Sequence, residues 1–415
     1  MAKPGYCFEM KSAFVPLLAQ ATCYKAALQL TGVLTVLPYI AAEIGAPAIA
    51  VALLVPAFFA GSLCGTVYAA KILRWVASAT VLLAGIAVLQ ALLTVANASG
   101  ITFLPLSFSV YLIIVTAGII GVVSGFAIVG FPLAISALLS AERRSDLVLR
   151  RSAFAAVVVI AASAYSRYFL ADGSPLDDVI MLWLGALVMA VAALATVALG
   201  RPTKLSQAIS TPLRTTMADG FAYLRQHPWF RRYILTQLIF TAVTLGPLFY
   251  GIYISTTLGP FNGCLDGILV FIGIGLLAGT VVWTIVRKRF GTSGMYVGSA
   301  AMSFAAATLC VVSLAFDLMH PMLTFELVIL LAAMANQAVY PAALDWIYRE
   351  TTEDVRVLVI TFSQVFVTIA VMLISFILGL VAAQAPALWP LAIIVSGAAI
   401  AALAATRVPR MERAN

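Results

Sequence analysis

The sequence predicts an all-α, polytopic membrane protein of twelve transmembrane helices arranged as two six-helix halves. Three observations predict it. Of the 415 residues, 63% are hydrophobic and only 10% charged, with a mean hydropathy of +1.08, which is more apolar surface than a soluble core can bury. The apolar runs have the roughly 20-residue length that a helix needs to cross a bilayer, and that length excludes barrel strands. All the lysines and arginines except Lys25 and Arg167 fall at alternate ends of those runs.

The first run, 13–38, is too long for the apolar part of a signal peptide, roughly 7 to 15 residues, and reads as the first span. Further spans are expected near 46–70, 75–97, 107–139, 152–171 and 178–199, then near 233–257, 265–286, 293–316, 322–346, 357–383 and 387–406. Residues 200–232 form the long polar stretch. The chain therefore divides into an N-terminal six-helix half (1–199), a central loop (200–232) and a C-terminal six-helix half (233–415). An even number of spans puts both termini on one side. Basic residues mark that side and the central loop as cytoplasmic: Lys3 and Lys11, Lys71 and Arg74, Arg143 and Arg144, Arg150 and Arg151, Arg287, Lys288 and Arg289, and the tail from Arg407. The net charge of +8 is thus topological, and spread over short segments it forms no groove for nucleic acid. The five cysteines are scattered with no CxxC pair, so neither a disulfide framework nor a metal site is expected, and no cofactor.

The two halves resemble each other. Gly61–Val67 (GSLCGTV) matches Gly275–Val281 (GLLAGTV), and Phe131-Pro132 matches Tyr340-Pro341, in the same order and before the same kind of charged loop. This pattern predicts a parallel duplication about an axis along the membrane normal; chance similarity among glycine-rich helices is the competing reading. GxxxG spacings such as Gly121 to Gly125 read as close helix packing. Asn97-Ala98-Ser99 is a glycosylation sequon assigned to an outer loop, of consequence only in a eukaryotic host.

Over nearly its whole length the chain resembles the major facilitator superfamily, whose members join two six-helix halves by a cytoplasmic loop. Asp219–Arg232 (DGFAYLRQHPWFRR) is similar to the amphipathic segment that leads into span seven of bacterial members, and Thr352-Glu353-Asp354-Val355-Arg356 to their loop after span ten. The superfamily's Gly/Asp/basic signature between spans two and three is eroded. After Gly65 the Asp position holds Ala69, with Lys71 and Arg74 beyond it, while the second copy keeps Arg287, Lys288 and Arg289 after Gly279.

The resemblance implies a substrate cavity between the halves, lined by spans one, four, seven and ten. On span one, Thr22, Lys25 and Gln29 share one helical face, a cation with two hydrogen-bonding groups suited to an anionic or carbonyl-bearing substrate. A structural ion pair, a later span start that leaves Lys25 near the cytoplasmic interface, and a neutral lysine acting in coupling or gating are the alternatives for Lys25. Gln237, Thr241 and Thr244 on span seven, Asn336, Gln337 and Tyr340 on span ten, and Gln364 on span eleven are further substrate-binding candidates, with interhelical hydrogen bonding as the competing role. Asp266, Glu326 and Arg167 are the candidates for coupling, against a plain interfacial placement.

The expected function is secondary transport of a small molecule by alternating access, driven by protons or a counter-ion, in a monomer embedded in the lipid bilayer of a bacterial inner membrane. A non-transporting scaffold or sensor, and a membrane-embedded transferase, are the rival classes. His227 and His320 carry no catalytic motif around them, and His227 reads as a start signal for span seven.

Overall fold

The computed structural model describes residues 5–73, 76, 78–139, 141–170, 178–199, 213–257, 264–315, 321–384 and 388–406. Lys3, Arg74, Asp172, His320, residues 200–212 of the central loop and the tail from Arg407 lie outside the described residues, as do the side chains of Lys11, Lys71, Arg143 and Arg144.

Every regular element described is helical. The N-terminal half holds α1 (Gly5–Leu30), α2 (Val36–Glu43), α3 (Ala48–Leu73), α4 (Ala79–Phe103), α5 (Leu106–Leu138), α6 (Ala141–Tyr165) with the π-helical turn Ser166–Leu170, and α7 (Val179–Val197). A connecting helix α8 (Leu213–Gln226) precedes α9 (Pro228–Thr257), α10 (Cys264–Ala315), α11 (Pro321–Glu350), α12 (Glu353–Gln384) and α13 (Leu388–Ala405). Eight segments are long and apolar enough to cross a membrane by length and composition alone. One of them, Leu265–Ser313, holds two passes, because Gly291 adopts φ +66°, a conformation open to glycine, and turns the chain back. The twelve passes are then α1 with α2, α3 to α7, α9, the two parts of α10, and α11 to α13.

The pairing of helices repeats between the halves. In the first, α1 packs on α6 and α7, α3 on α5, and α4 on α7; in the second, α9 packs on α12 and α13, and α10 on α11 and α13. The glycine motifs sit at the repeated contact. A Cβ on Gly61 would lie 1.9 Å from the Gly118 carbonyl oxygen, and one on Gly121 only 2.0 Å from that of Phe58, so α3 and α5 touch backbone to backbone. On the C-terminal side a Cβ on Gly275 would lie 2.8 Å from the Leu330 oxygen, a looser version of the same approach.

Three expectations are corrected. The first span is broken: α1 ends at Leu30, where Thr31 turns its hydroxyl onto the Ala27 oxygen (2.9 Å), and a turn leads into the separate α2. The apolar window of span five runs from Arg150 to Phe169 as expected, but its helix already begins at Ala141, which moves Arg151 from a loop to the interior of a helix. Asn97 lies inside α4, 1% exposed and hydrogen-bonded to Thr116 of α5, so the sequon is buried packing and not a surface loop.

Call the end of the bundle where α1 begins the near end, and the other the far end. At the far end one continuous apolar cluster draws on both halves, including Leu30, Val36, Ala117 and Val159 from the first and Leu269, Ile272, Phe325 and Leu378 from the second. There α6 meets α10, and α3 meets α12: a Cβ on Gly273 would lie 2.5 Å from Ile160, and one on Gly379 3.3 Å from Ala52. At the near end the buried apolar side chains fall into separate clusters, Leu17, Leu83, Ile135 and Leu147 within the first half, and Phe230, Tyr296, Trp346 and Phe362 within the second. The halves are thus cemented at the far end and built as independent bodies toward the near end.

Candidate functional site

The seam between the halves, on the near side of this closure, holds the cationic groups. Arg151 lies ten residues past Ala141 in α6, and Tyr340 ten residues before Glu350 in α11, so each stands about 15 Å in from the near end of its helix. Five residues beyond Arg151, Ala156 already packs against Gly273 of α10. The site therefore lies just below the cemented region.

Lys25 of α1 donates from Nζ to Oγ of Ser152 on α6 (2.8 Å), and Ser152 in turn donates to the Val148 carbonyl at 3.2 Å. Its sequence neighbour Arg151 stands within electrostatic reach of Lys25, Tyr24 and Tyr340. The Arg151 guanidinium lies over the ring of Phe131, with its carbon 4.6 Å from the ring centroid, and its Nε is shielded from solvent without a hydrogen-bond partner. Phe131 and Tyr340 are the pair matched between the two halves in the sequence, and Arg151 stands near both. Beside them Tyr24 donates to Oε1 of Gln90 on α4 (3.1 Å), and the hydroxyl of Thr22, one turn before Lys25, is buried without a partner.

Neither Lys25 nor Arg151 forms an ion pair with a carboxylate among the described residues; the ion pairs there join Arg287 and Arg349 to Asp345. This matters energetically. A lysine or arginine deep in a membrane-spanning helix costs about 3 kcal/mol. One hydroxyl contact returns about 1 to 3 kcal/mol and a ring face about 1 to 2, so the pair is held without full compensation.

The other predicted residues divide between two roles. Gln237 donates to the Tyr296 hydroxyl across α9 and α10, inside an aromatic cluster of Tyr233, Phe240 and Trp346. Gln337 donates to Oγ1 of Thr280 (2.8 Å), and its own Oε1 fills the space where a Cβ on Gly279 would stand. Thr241 and Thr244 turn back onto the carbonyls of Leu238 and Phe240 at 2.6 and 3.2 Å. These groups bond within the C-terminal half, although Oε1 of Gln337 is buried without a hydrogen-bond partner. Gln29, Asn336 and Gln364 are partly buried on α1, α11 and α12. At the far end Glu326 lies within electrostatic reach of Arg167, which is exposed on the π-helical turn, while Asp266 at the start of α10 is 4% exposed. His227 stacks on Tyr223 with ring centroids 3.8 Å apart, between α8 and α9, as a helix-start residue does.

Sequence reasoning missed Arg151, Ser152 and Phe131. The signal available was the run 141–150, which holds no Gly or Pro and continues without interruption into the apolar stretch that follows.

No known family profile matches the sequence. The uncharacterized proteins Rv2209 of Mycobacterium tuberculosis and Mb2232 of Mycobacterium bovis are each 31% identical over 405 residues, covering 96% of this chain and 77% of theirs. Among solved structures, a D-xylose-proton symporter superposes with a TM-score of 0.69 at 16% identity, covering 97% of this chain and 98% of that one. The Escherichia coli xylose transporter XylE in a partially occluded inward open conformation gives 0.66 at 13% identity, with coverages of 97% and 98%. The nucleoside transporter NupG gives 0.62 at 12% identity, with coverages of 95% and 98%.

Proposed function

Because this chain belongs to one family with these mycobacterial proteins and has the fold of the major facilitator superfamily, we propose that it is a secondary transporter that carries a small anionic molecule across the membrane. The observation that carries the reading is the pair Lys25 and Arg151, two cations from different helices converging in the seam between the halves with no carboxylate partner among the described residues. In alternating access the cargo enters from the near end, where the halves form separate bodies. It binds at Lys25 and Arg151, and draws Tyr340 and the C-terminal half onto them. The cargo changes the relative stability of the two states by neutralising charge that the empty site leaves uncovered. Opening of the far end then separates α6 from α10 and α3 from α12, and with them Glu326 from Arg167. Coupling to a proton or counter-ion falls to Glu326, Asp266 and Arg167, which sit at that end.

The test begins with a thermal-shift screen of small anions against neutral molecules of matched size, followed by counterflow of the best ligand into liposomes. Lys25→Met is expected to lower that flux by about tenfold or more while the protein still inserts and elutes as a single species. Unchanged transport kinetics in that variant would remove Lys25 from the mechanism.

A further inference from the structure

The number of charges in the site says more about the cargo than its sign. Building on the transport reading, we propose that the cargo is a compact organic dianion, a dicarboxylate or a phosphate monoester, with one negative group held by the guanidinium fork of Arg151 and the other by the ammonium of Lys25.

The two cations are poised differently, and each suits one end of such a molecule. Ser152 takes one of the three donors of the Lys25 ammonium, leaving two for a ligand. Arg151 has its guanidinium carbon over the Phe131 ring, and its Nε, shielded from solvent, has no hydrogen-bond partner, which leaves that donor of its N–H fork for a ligand. A carboxylate or a phosphate presents two oxygens at the spacing of that fork. The ammonium of Lys25 is tied to Ser152, the residue after Arg151 in α6, and stands within electrostatic reach of the guanidinium, so the two negative groups belong to one small molecule.

Charge balance selects among the alternatives. The C-terminal half brings two of its arginines, Arg287 and Arg349, to a single carboxylate, Asp345. The site in the seam has two cations and, among the described residues, no carboxylate. A neutral sugar would leave both charges uncovered in a low-dielectric surround, and a monoanion would leave one; a dianion leaves none. Of the hydroxyls nearby, those of Tyr340 and Thr22 supply donors, while Tyr24 spends its own on Oε1 of Gln90. The site is therefore rich in donors, as a ligand made of acceptors requires.

The experiment uses purified full-length protein in lipid nanodiscs, titrated calorimetrically with succinate, butyrate, glycerol 3-phosphate and glycerol. The expected result is that at least one dianion binds about tenfold or more tightly than its singly charged or neutral counterpart. Arg151→Gln and Lys25→Gln should each shrink that preference to about threefold or less, and Arg151→Lys should keep part of the preference while losing affinity. Equal affinity for succinate and butyrate, no binding of either dianion, or a preference intact in both glutamine variants overturns the inference. Should the variants fail to fold, the wild-type ratio decides. The two readings fail differently. If butyrate binds and crosses liposomes as well as succinate does, the dianion falls and transport stands; if a dianion binds with the expected preference yet no labelled solute crosses, transport falls.

Discussion

In the N-terminal half Lys25 and Arg151 converge with a serine hydroxyl and a phenylalanine ring between and beneath them, whereas in the C-terminal half Arg287 and Arg349 converge on Asp345 at 3.2 and 2.9 Å, with Thr292 donating to the same carboxylate at 2.6 Å. These groups stand on helices that are not equivalent by packing, since α1 and α6 correspond to α9 and α12, and α10 and α11 to α3 and α5. The second half has engaged these charges in tying α10 to α11, and the first has left its own in the seam. The aromatic and amide residues follow the same division: Gln237, Tyr296 and Trp346 are hydrogen-bonded or packed ring edge to ring face inside the second half, while Tyr24 and Phe131 lie beside the cations of the first. The difference teaches that two halves with similar helix packing can dispose of charge differently, the second engaging it within the fold and the first leaving it in the seam.

Backbone packing gives the sharpest way to break that comparison. Gly121→Ala should cost about 3 kcal/mol or more, because its Cβ would meet the Phe58 carbonyl at 2.0 Å and neither backbone can yield, whereas Gly275→Ala should cost less. Gly85→Ala on α4, whose Cβ would meet nothing within 4 Å, is the matched control and should be neutral or slightly stabilising. Thermal unfolding of the three variants in one detergent ranks them; equal losses at Gly121 and Gly275 would mean that the halves are packed alike.

A smaller effect tests the charges engaged in the second half. Asp345→Asn should lower stability by about 1 to 3 kcal/mol, since Arg287 and Arg349 are then brought together without their shared counter-charge. Ligand affinity of the folded fraction should stay within about twofold of the parent, and a large loss of affinity would place Asp345 in the binding apparatus instead. The smallest change is expected from Ser152→Ala, which removes the hydroxyl that holds the Lys25 ammonium. A loss of about 1 kcal/mol in ligand binding, with unfolding temperature unchanged, is the predicted signature. The opposite pattern, unfolding shifted and binding intact, would make the contact a packing bond.

Much of the frame was readable without coordinates. Apolar length and alternating basic ends reported the passes because lipid offers no partner for a bare backbone, and the glycine motifs of spans two and eight reported close helix contacts. Lys25 stood out as a cation inside an apolar run. Arg151 did not, because the charges of 141–151 lower the local hydropathy although the backbone there is already helical. Gln237 and Gln337 looked like binding amides, and the structure occupies both with partners on other helices, Tyr296 and Thr280.

The order and direction of the helices, and the presence of a charge inside the membrane, follow from local composition, since the bilayer imposes the same length and polarity on every span. Which polar groups are consumed by the fold and which stay open in the seam depends on pairs far apart in the chain, such as Lys25 with Ser152 or Arg287 with Asp345. A hydrogen bond or an ion pair exists only when helix packing brings its two ends together, and no run of residues contains that information.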